Sequence, residues 1–317
     1  MTRPRQKGMA VIMALLLVAL AVSASALVMW QQSLWWRQVE TDRQRAQVGL
    51  VTQSGIEWAL ALLGYNSQSS SAVYLGQLWA APLPPSDAEG VRLRGQLSDM
   101  QARFNLNALA HGGSTADPLR VEQYRRLLEA LGLAPSLADS LLRWMQLRLP
   151  PEDSTAPLPG GPVTARQLER VEMLAWVEGY TPQVRARLAP YVAALPAEVR
   201  FININTAPPL LLRALLPQLG AGDLELLQAQ RTVNYFRDVA DVQSRLRSVA
   251  DVRTLGQWLG VGSSYFGLEC EVRQGKVVLR TRALLQVDGP RARLRWREDG
   301  ASPTPIVENH DNAATVS

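Results

Sequence analysis

Residues 1–8, MTRPRQKG, are basic and free of acid, and from Gly8 to Trp36 no residue carries a charge. The apolar core of this stretch, Met9 to Met29, is 21 residues long. At ~1.5 Å per helical residue it reaches about 32 Å, the thickness of a bilayer's hydrocarbon layer. Trp30, Trp35 and Trp36 follow, where an aromatic belt belongs. Beyond Arg37 the apolar positions thin to a stripe, with Val48, Val51, Ile56, Leu60 and Leu63 at spacings of three to five and polar residues such as Arg43, Gln44 and Gln47 between them. That period is helical. The pattern predicts one helix from Met9 to about Leu63, ended by Gly64-Tyr65-Asn66 and by Ser67 and Ser69 to Ser71.

The period then changes twice. Val91 to Leu97 alternates apolar and polar residues, the mark of a half-buried strand, and a second short run from Ala102 to Leu106 closes with Asn107. From Asp117 to about Leu259 the pattern is helical. Asp117-Pro118 reads as an N-cap with proline in the first turn, Tyr124, Leu127, Leu128 and Leu131 as the apolar stripe behind it, and Gly132 as its end. Further helices are predicted at 136–148, 164–175, 182–194, 207–216, 222–236 and 248–259, with Thr206 capping the helix that starts at Ala207-Pro208. A loop at 149–162 holds five prolines. The period returns to two over Tyr265–Val272, Val277–Val287 and Arg291–Arg297, with turns at Gln274-Gly275 and Asp288-Gly289, which predicts an antiparallel meander. The layout is an α+β protein: a long helix and strands, a large all-α insertion, then strands again. Its expected parts are 1–8 as a leader, 9–30 and 31–64 as two halves of the long helix, 65–110 and 263–298 as an α+β domain, 111–262 as the helical insertion and 299–317 as a polar tail.

Arg3, Arg5 and Lys7 place the N-terminus in the cytoplasm by the positive-inside rule, with the rest beyond the inner membrane. Three readings of the N-terminus fit. One is a plain signal anchor. Another is a cleaved secretory signal, for which Ala24-Ser25-Ala26 supplies the small-residue site. The third is a type IV prepilin, cut on the cytoplasmic side after Gly8, which keeps its apolar helix.

The formal charge is +5, but three of the basic residues lie in the first eight and only Lys7 and Lys276 are lysines. No nucleic-acid footprint is demanded by so even a balance. One cysteine, Cys270, excludes an intramolecular disulfide and a cysteine zinc site; its strand-like surroundings make it a half-buried apolar residue. The histidines, His111 and His310, lie in a Gly-rich turn and in the tail. His111-Gly112-Gly113 is similar to an oxyanion-hole loop, but no Gly-x-Ser-x-Gly elbow and no phosphate-binding Walker sequence accompanies it, so an enzyme is not expected. Asn105, Asn107, Asn203 and Asn205 alternate with apolar residues, and their amides suit backbone at strand ends and caps.

Four stretches in order resemble the K-type minor pseudopilins of type II secretion systems: Arg5-Gln6-Lys7-Gly8 before the apolar helix; Gln101-Ala102-Arg103-Phe104-Asn105-Leu106-Asn107; Leu168-Glu169-Arg170-Val171-Glu172; and Ile202-Asn203-Ile204-Asn205-Thr206-Ala207, with Ser264-Tyr265-Phe266 opening the last strands. The resemblance implies a type IV pilin-like fold, a long N-terminal helix on an antiparallel sheet, carrying the insertion. It implies cleavage by the prepilin peptidase between Gly8 and Met9 and N-methylation of Met9, with Phe104, Asn105, Asn107, Asn203, Asn205 and Thr206 as structural motif residues. Most pilin-like subunits carry glutamate at the fifth mature position, where it neutralises a neighbour's N-terminal amine; here Met13 stands there. An unpaired charge within lipid costs roughly 2.5–3.5 kcal/mol or more, and a subunit with none stacked above it needs no such carboxylate. The family trait implies a place at the pseudopilus tip, initiating or capping assembly for export of folded proteins across the outer membrane. Implied partners are the I-, J- and H-type minor pseudopilins, the major pseudopilin, the prepilin peptidase and the inner membrane, with secreted cargo or the outer-membrane secretin beyond.

Members of the family can bind calcium, which wants six or more oxygens. Here Trp144 is flanked by Arg143, Gln146 and Arg148, leaving Glu152 and Asp153 as weak candidates, so no cofactor is expected. The rival reading is a membrane-anchored DNA receptor with a helix-hairpin-helix module, whose hairpin amides face phosphate. The turn Gly220-Ala221-Gly222-Asp223 would be that hairpin, and Asp223 has the wrong charge.

Overall fold

A computed structural model describes residues 7–83, 86–88, 90–110, 115–146, 166–217, 220–245 and 258–300. In chain order the elements are helix α1 (Lys7–Ser69), strands β1 (Ser86–Ala88), β2 (Val91–Asp99) and β3 (Phe104–Asn105), helices α2 (Pro118–Ala130), α3 (Leu137–Met145) and α4 (Pro182–Leu188), strands β4 (Val192–Ala193) and β5 (Ile202–Asn203), helices α5 (Pro209–Leu215), α6 (Ala221–Val233) and α7 (Val239–Arg245), and strands β6 (Leu259–Gly260), β7 (Tyr265–Gln274), β8 (Val277–Asp288) and β9 (Arg291–Asp299). The fold is the α+β arrangement expected: one long helix on an antiparallel sheet, with many shorter helices between its strands.

Five strands pair in the order β1-β2-β7-β8-β9, each antiparallel to its neighbour. The expected meander is β7-β8-β9, turned at Gly275 and Gly289, both with positive φ. In the ladder between β2 and β7, Asp99 pairs with Phe266. The chain therefore leaves the sheet at Asp99 and returns beside it at Tyr265, so residues 100–264 form an excursion whose two ends are adjacent. That connection lets a large module be inserted without disturbing the sheet.

Alternation decides what each face of the sheet covers. Leu97, Phe266, Leu268, Ala283, Leu285 and Val287 bury against Ile56, Ala59 and Leu63 of α1 and against Trp79. Each Leu, Ile, Val or Phe side chain among them contributes about 1.5–3 kcal/mol relative to exposure. Tyr265 and Leu284 point the other way, into Ala193 and Leu195 of the helical module, with Trp296 beside them. Further down, Val48 meets Val91 and Val272. The module is thus attached at the end of the sheet nearest the C-terminus of α1, and the β7–β8 hairpin lies toward the helix's N-terminal half. The helices share a separate core of Phe104, Leu106, Leu109, Tyr124, Leu127, Leu141, Leu174, Leu188, Leu211 and Phe236 among others.

Several local expectations give way to tertiary contacts. Helix α1 runs through Gly64-Tyr65-Asn66 to Ser69, because this turn packs on the β8–β9 turn: the Ser67 hydroxyl donates to the carbonyls of Gly64 and Gly289. The run Ala102–Leu106 shrinks to β3, flanked by 3-10 turns at Met100–Ala102 and Leu106–Leu109. The helix expected at 164–175 is a 3-10 segment, Val171–Trp176, since the Leu168 backbone is engaged by Asn107. The one expected at 182–194 stops at Leu188, where Pro190 follows and the chain turns to pair β4 in parallel with β3. Residue Leu259, placed in a helix at 248–259, is in β6, parallel to β5; most of that span lies outside the described residues. Helix α7 had no counterpart in the pattern. Thr206 does not cap the next helix: α5 begins at Pro209 with Pro208 at the N-cap, and the Thr206 hydroxyl donates to Asp99 instead. Asp117 does cap α2, accepting from the amides of Leu119 and Arg120, and Gly132 ends it at φ 66.

Candidate assembly site

Helix α1 has two unlike halves. From Ile56 to Leu63 one stripe is buried on the sheet. Toward the N-terminus the most apolar 18-residue window has none of its residues buried. Leu15, Leu16, Leu20, Leu27, Trp30, Trp35 and Trp36 are all exposed, and so is Met13. Gly8 and Met9 are helical. The two hydroxyls within the span, Ser23 and Ser25, donate to the carbonyls of Ala19 and Ala21 at 2.8 Å each. They leave no donor requiring water, which suits lipid surroundings. This helix is long and apolar enough to cross a membrane once, by length and composition.

Behind it, the four asparagines singled out in the sequence act as backbone substitutes at joints. Asn105 accepts from the Leu195 amide at 3.0 Å and donates to the carbonyls of Pro196 and Val199 at 2.8 and 2.9 Å. Asn107 accepts from the Leu168 amide and donates to the carbonyls of Leu168 and Leu195, all at 2.8 Å. Asn205 holds Phe236 by both its amide (2.8 Å) and its carbonyl (2.9 Å). Each ties two segments distant in sequence at a place with no regular ladder, and each is buried. A buried amide with every bond made specifies one packing; left unpaired it would cost about 1–3 kcal/mol per group.

Asn203 does the most. Its amide donates to the Val73 carbonyl, the Asp99 carboxylate and the Ser263 hydroxyl at 2.9, 2.9 and 3.0 Å. Asp99 also accepts from the hydroxyls of Thr206 and Ser263, both at 2.6 Å, and from the Gln101 amide at 2.8 Å. The last residue of β2, β5 and the turn after it, and the loop leading into β7 therefore meet on one carboxylate, and Asn203 ties the segment after α1 to the same cluster. Burial raises the Asp99 pKa above the ordinary aspartate value, opposed by the bonds from Ser263, Thr206, Asn203 and Gln101. Asp99 was not among the sequence candidates, because an acid closing an alternating strand looks like an ordinary exposed strand end. Its only signal was its place two residues before Gln101, where the asparagine motif begins.

Other buried polar groups are also structural. The hydroxyls of Tyr124 and Tyr180 lie 2.8 Å apart, and Tyr180 donates to the Leu137 carbonyl; burial raises both phenols. Arg120 donates to Gln123 and to the Arg200 carbonyl, and Arg200 pairs with the Asp117 carboxylate. Burial and the Arg200 charge lower Arg120 to about 10, against the pull of Asp117. Phe104 stacks on Tyr124 in the helical core, ring centroids 5.6 Å apart.

Among the described residues no three His, Cys, Asp or Glu side chains group as metal ligands. Glu152, Asp153, His111 and His310 lie outside the described residues. At the turn before α6, the Asp223 carboxylate accepts from the Gly220 amide at 3.2 Å. A donor that a helix-hairpin-helix would turn toward phosphate is thereby engaged by a carboxylate, as the charge of that turn suggested.

Residues 102–197 and 202–262 match two family models, both described as type II secretion system protein K. Over 329 aligned residues the chain is 27% identical to the type II secretion system protein K of Pectobacterium carotovorum subsp. carotovorum, covering 95% of this chain and 99% of the relative. Its counterpart in Klebsiella pneumoniae is 29% identical, covering 90% and 94%. Among solved structures, a chain of the GspK-GspI-GspJ complex of the enterotoxigenic Escherichia coli type 2 secretion system superposes with a TM-score of 0.70 at 27% identity, covering 84% of this chain and all of that one. With the joint motifs and the uncovered helix in the same order along the chain, these matches show that the chain belongs to the type II secretion system protein K family and is a minor pseudopilin.

Proposed function

We propose that this subunit sits at the tip of the pseudopilus, where it initiates or caps assembly for export of folded proteins across the outer membrane. The observation that carries this reading is the split of α1: its C-terminal stripe is covered by the subunit's own sheet, while none of the described residues covers its apolar N-terminal half. Such a half has two uses in succession. In the inner membrane it is a single-pass anchor, N-terminus in the cytoplasm and folded domain in the periplasm. In the filament it packs against the helices of other subunits. The solved relative stands in a complex with GspI and GspJ, which supports lateral partners of the same kinds here, with the H-type and major pseudopilins below them.

Two features favour the end of the filament. Met13 offers no carboxylate for a neighbour's amine. The helical module joins the sheet at the end nearest the C-terminus of α1, farthest from the membrane half. Its bulk there would obstruct a further subunit stacked on top. The family is a structural part of a secretion machine, and the proposal assigns the chain no catalysis and no cofactor.

Processing is the first test. The prepilin peptidase would cut between Gly8 and Met9 and methylate Met9. Intact-mass measurement of the mature chain should show a methylated start at Met9, and Gly8→Trp should leave the leader attached and stop secretion. A start at Leu27 would make this a secreted protein with no anchor and would end the proposal.

A further inference from the structure

Where the β7–β8 hairpin rests on α1, an open cleft of about 720 Å³ lies between them. Its cationic walls are Arg37 and Arg45 from the helix and Lys276 from the hairpin tip, with Thr41 and Gln44 between them and no carboxylate in the lining. Helical spacing explains the first wall, since positions 37, 41, 44, 45 and 48 share one face, and Val48 on that face is buried against β2 and β7. Close approach explains the second. Gly275 adopts φ +55, which favours glycine, and a Cβ there would come within 3.3 Å of the Gln44 side chain, so the tip sits close against the helix. Lys276 is one of two lysines in the chain, and it projects at that tip.

Neighbouring acids do not cancel these charges. Glu40 accepts from Gln44 at 2.9 Å, and Asp42 pairs with Arg45 at 3.3 Å, with side chains 59% and 69% exposed, a weak pairing in water. Among the described residues, no ion pair involves Arg37 or Lys276. Three cations therefore border one cleft with two solvated carboxylates, Glu40 and Asp42, beside it, which leaves the balance positive.

Depth along the helix says what meets this cleft. With Met9 to Met29 filling the hydrocarbon layer, Arg37 stands eight residues, about 12 Å, beyond its periplasmic edge. Trp35 and Trp36 then lie at the interface, and Arg37 is the next residue. The mouth of the cleft opens just outside the headgroup layer, from where the long Arg37 side chain reaches back to the lipid phosphates, with Arg45 about 12 Å above. We infer that the cleft is a binding site for the phosphate headgroup of an anionic phospholipid in the periplasmic leaflet, held between Arg37 and Lys276 while the subunit waits in the membrane. The inference rests on the anchoring reading above. A zwitterionic lipid would bring a second, positive group into a cationic cleft, so selectivity for net negative headgroups follows.

The test uses the full-length chain in phosphatidylcholine nanodiscs, doped with phosphatidylglycerol, with lipid retention read by native mass spectrometry. Wild type should retain phosphatidylglycerol in preference to phosphatidylcholine. Arg37→Gln and Lys276→Gln should each weaken that preference about fivefold, the effect of one cation near an anionic surface, and unfold at the wild-type temperature, since both side chains lie outside the cores. Lys276→Glu should abolish it. Equal retention of the two lipids, or a preference untouched by the double variant, overturns the site. So does displacement of the lipid by millimolar inorganic phosphate, which would mark a site for the free ion. Carbonate extraction separates the two levels: a chain that washes off the membrane defeats the anchor, whereas an integral chain with no lipid preference defeats only the cleft.

Discussion

Asn203 and Asp99 stand 104 residues apart in sequence and share a 2.9 Å hydrogen bond in the interior. One opens the second half of the helical module and the other closes β2, so this contact joins the module to the sheet domain. Thr206 and Ser263 donate to the same carboxylate oxygen. Replacing Asp99 with alanine leaves these donors without an acceptor, and we expect a loss of about 3 kcal/mol in urea unfolding of the full chain in detergent, at ~1–3 kcal/mol per buried unsatisfied group.

The same residue sets a pH dependence. Its pKa is raised by burial in the folded protein, so folding favours the protonated acid. Its contribution is greatest below the unfolded aspartate value of about 3.9 and declines as pH rises through the folded value. Asp99→Asn keeps an acceptor and removes the charge. The stability of wild type relative to Asp99→Asn should therefore fall between pH 4 and the upper end of that window; a difference that stays flat from pH 4 to 8 would show that the carboxylate does not titrate there.

At Asn107 the amide nitrogen faces two carbonyls and the oxygen faces one amide. Asn107→Asp preserves shape but sets a carboxylate oxygen against the carbonyls of Leu168 and Leu195. We expect destabilisation of about 2–4 kcal/mol at pH 7 from the lost bonds and the buried charge, easing at pH 4 as the new acid protonates. Urea midpoints at the two pH values would measure this, and equal midpoints would contradict it.

Two glycines of α1 should respond oppositely to alanine. By propensity alone each change would stabilise a helix by up to about 1 kcal/mol. At Gly64 a Cβ would meet the Pro290 carbonyl oxygen at 2.8 Å, whereas at Gly49 it meets nothing within 4 Å. Backbone cannot yield as a side-chain tip can, so Gly64→Ala should lose about 1–3 kcal/mol by forcing the β8–β9 turn away. Gly49→Ala should unfold at or slightly above the wild-type temperature. A calorimetric scan of both variants decides, and a secretion defect in a stable Gly49→Ala would point to helix packing between subunits.

The single thiol should be silent. Cys270 is buried in β7, and burial pushes its pKa up to about 11. At pH 8 only about one thiol in a thousand is ionised. A maleimide or disulfide reagent should label it only after unfolding; rapid labelling of the native protein would mean that the strand opens.

Much of this architecture follows from period. The 29-residue uncharged stretch from Gly8 to Trp36 and the alternation of Val91–Leu97 and Tyr265–Val272 dictate a long helix and strands because burying one face leaves few other arrangements. The polar asparagines amid apolar runs likewise marked themselves as residues needing partners. What the sequence could not decide was who those partners are. Leu168, Phe236 and Val73 supply only backbone atoms, which are the same in every residue and leave no trace in residue type. The same holds for the 3-10 segment at Val171–Trp176, for α1 continuing past Gly64 and for Thr206 turning from its cap to Asp99: in each, a long-range hydrogen bond outweighs a local preference worth less than it. Residue order chose the elements; only the folded chain could choose which carbonyl meets which amide, because that depends on distances no linear pattern encodes.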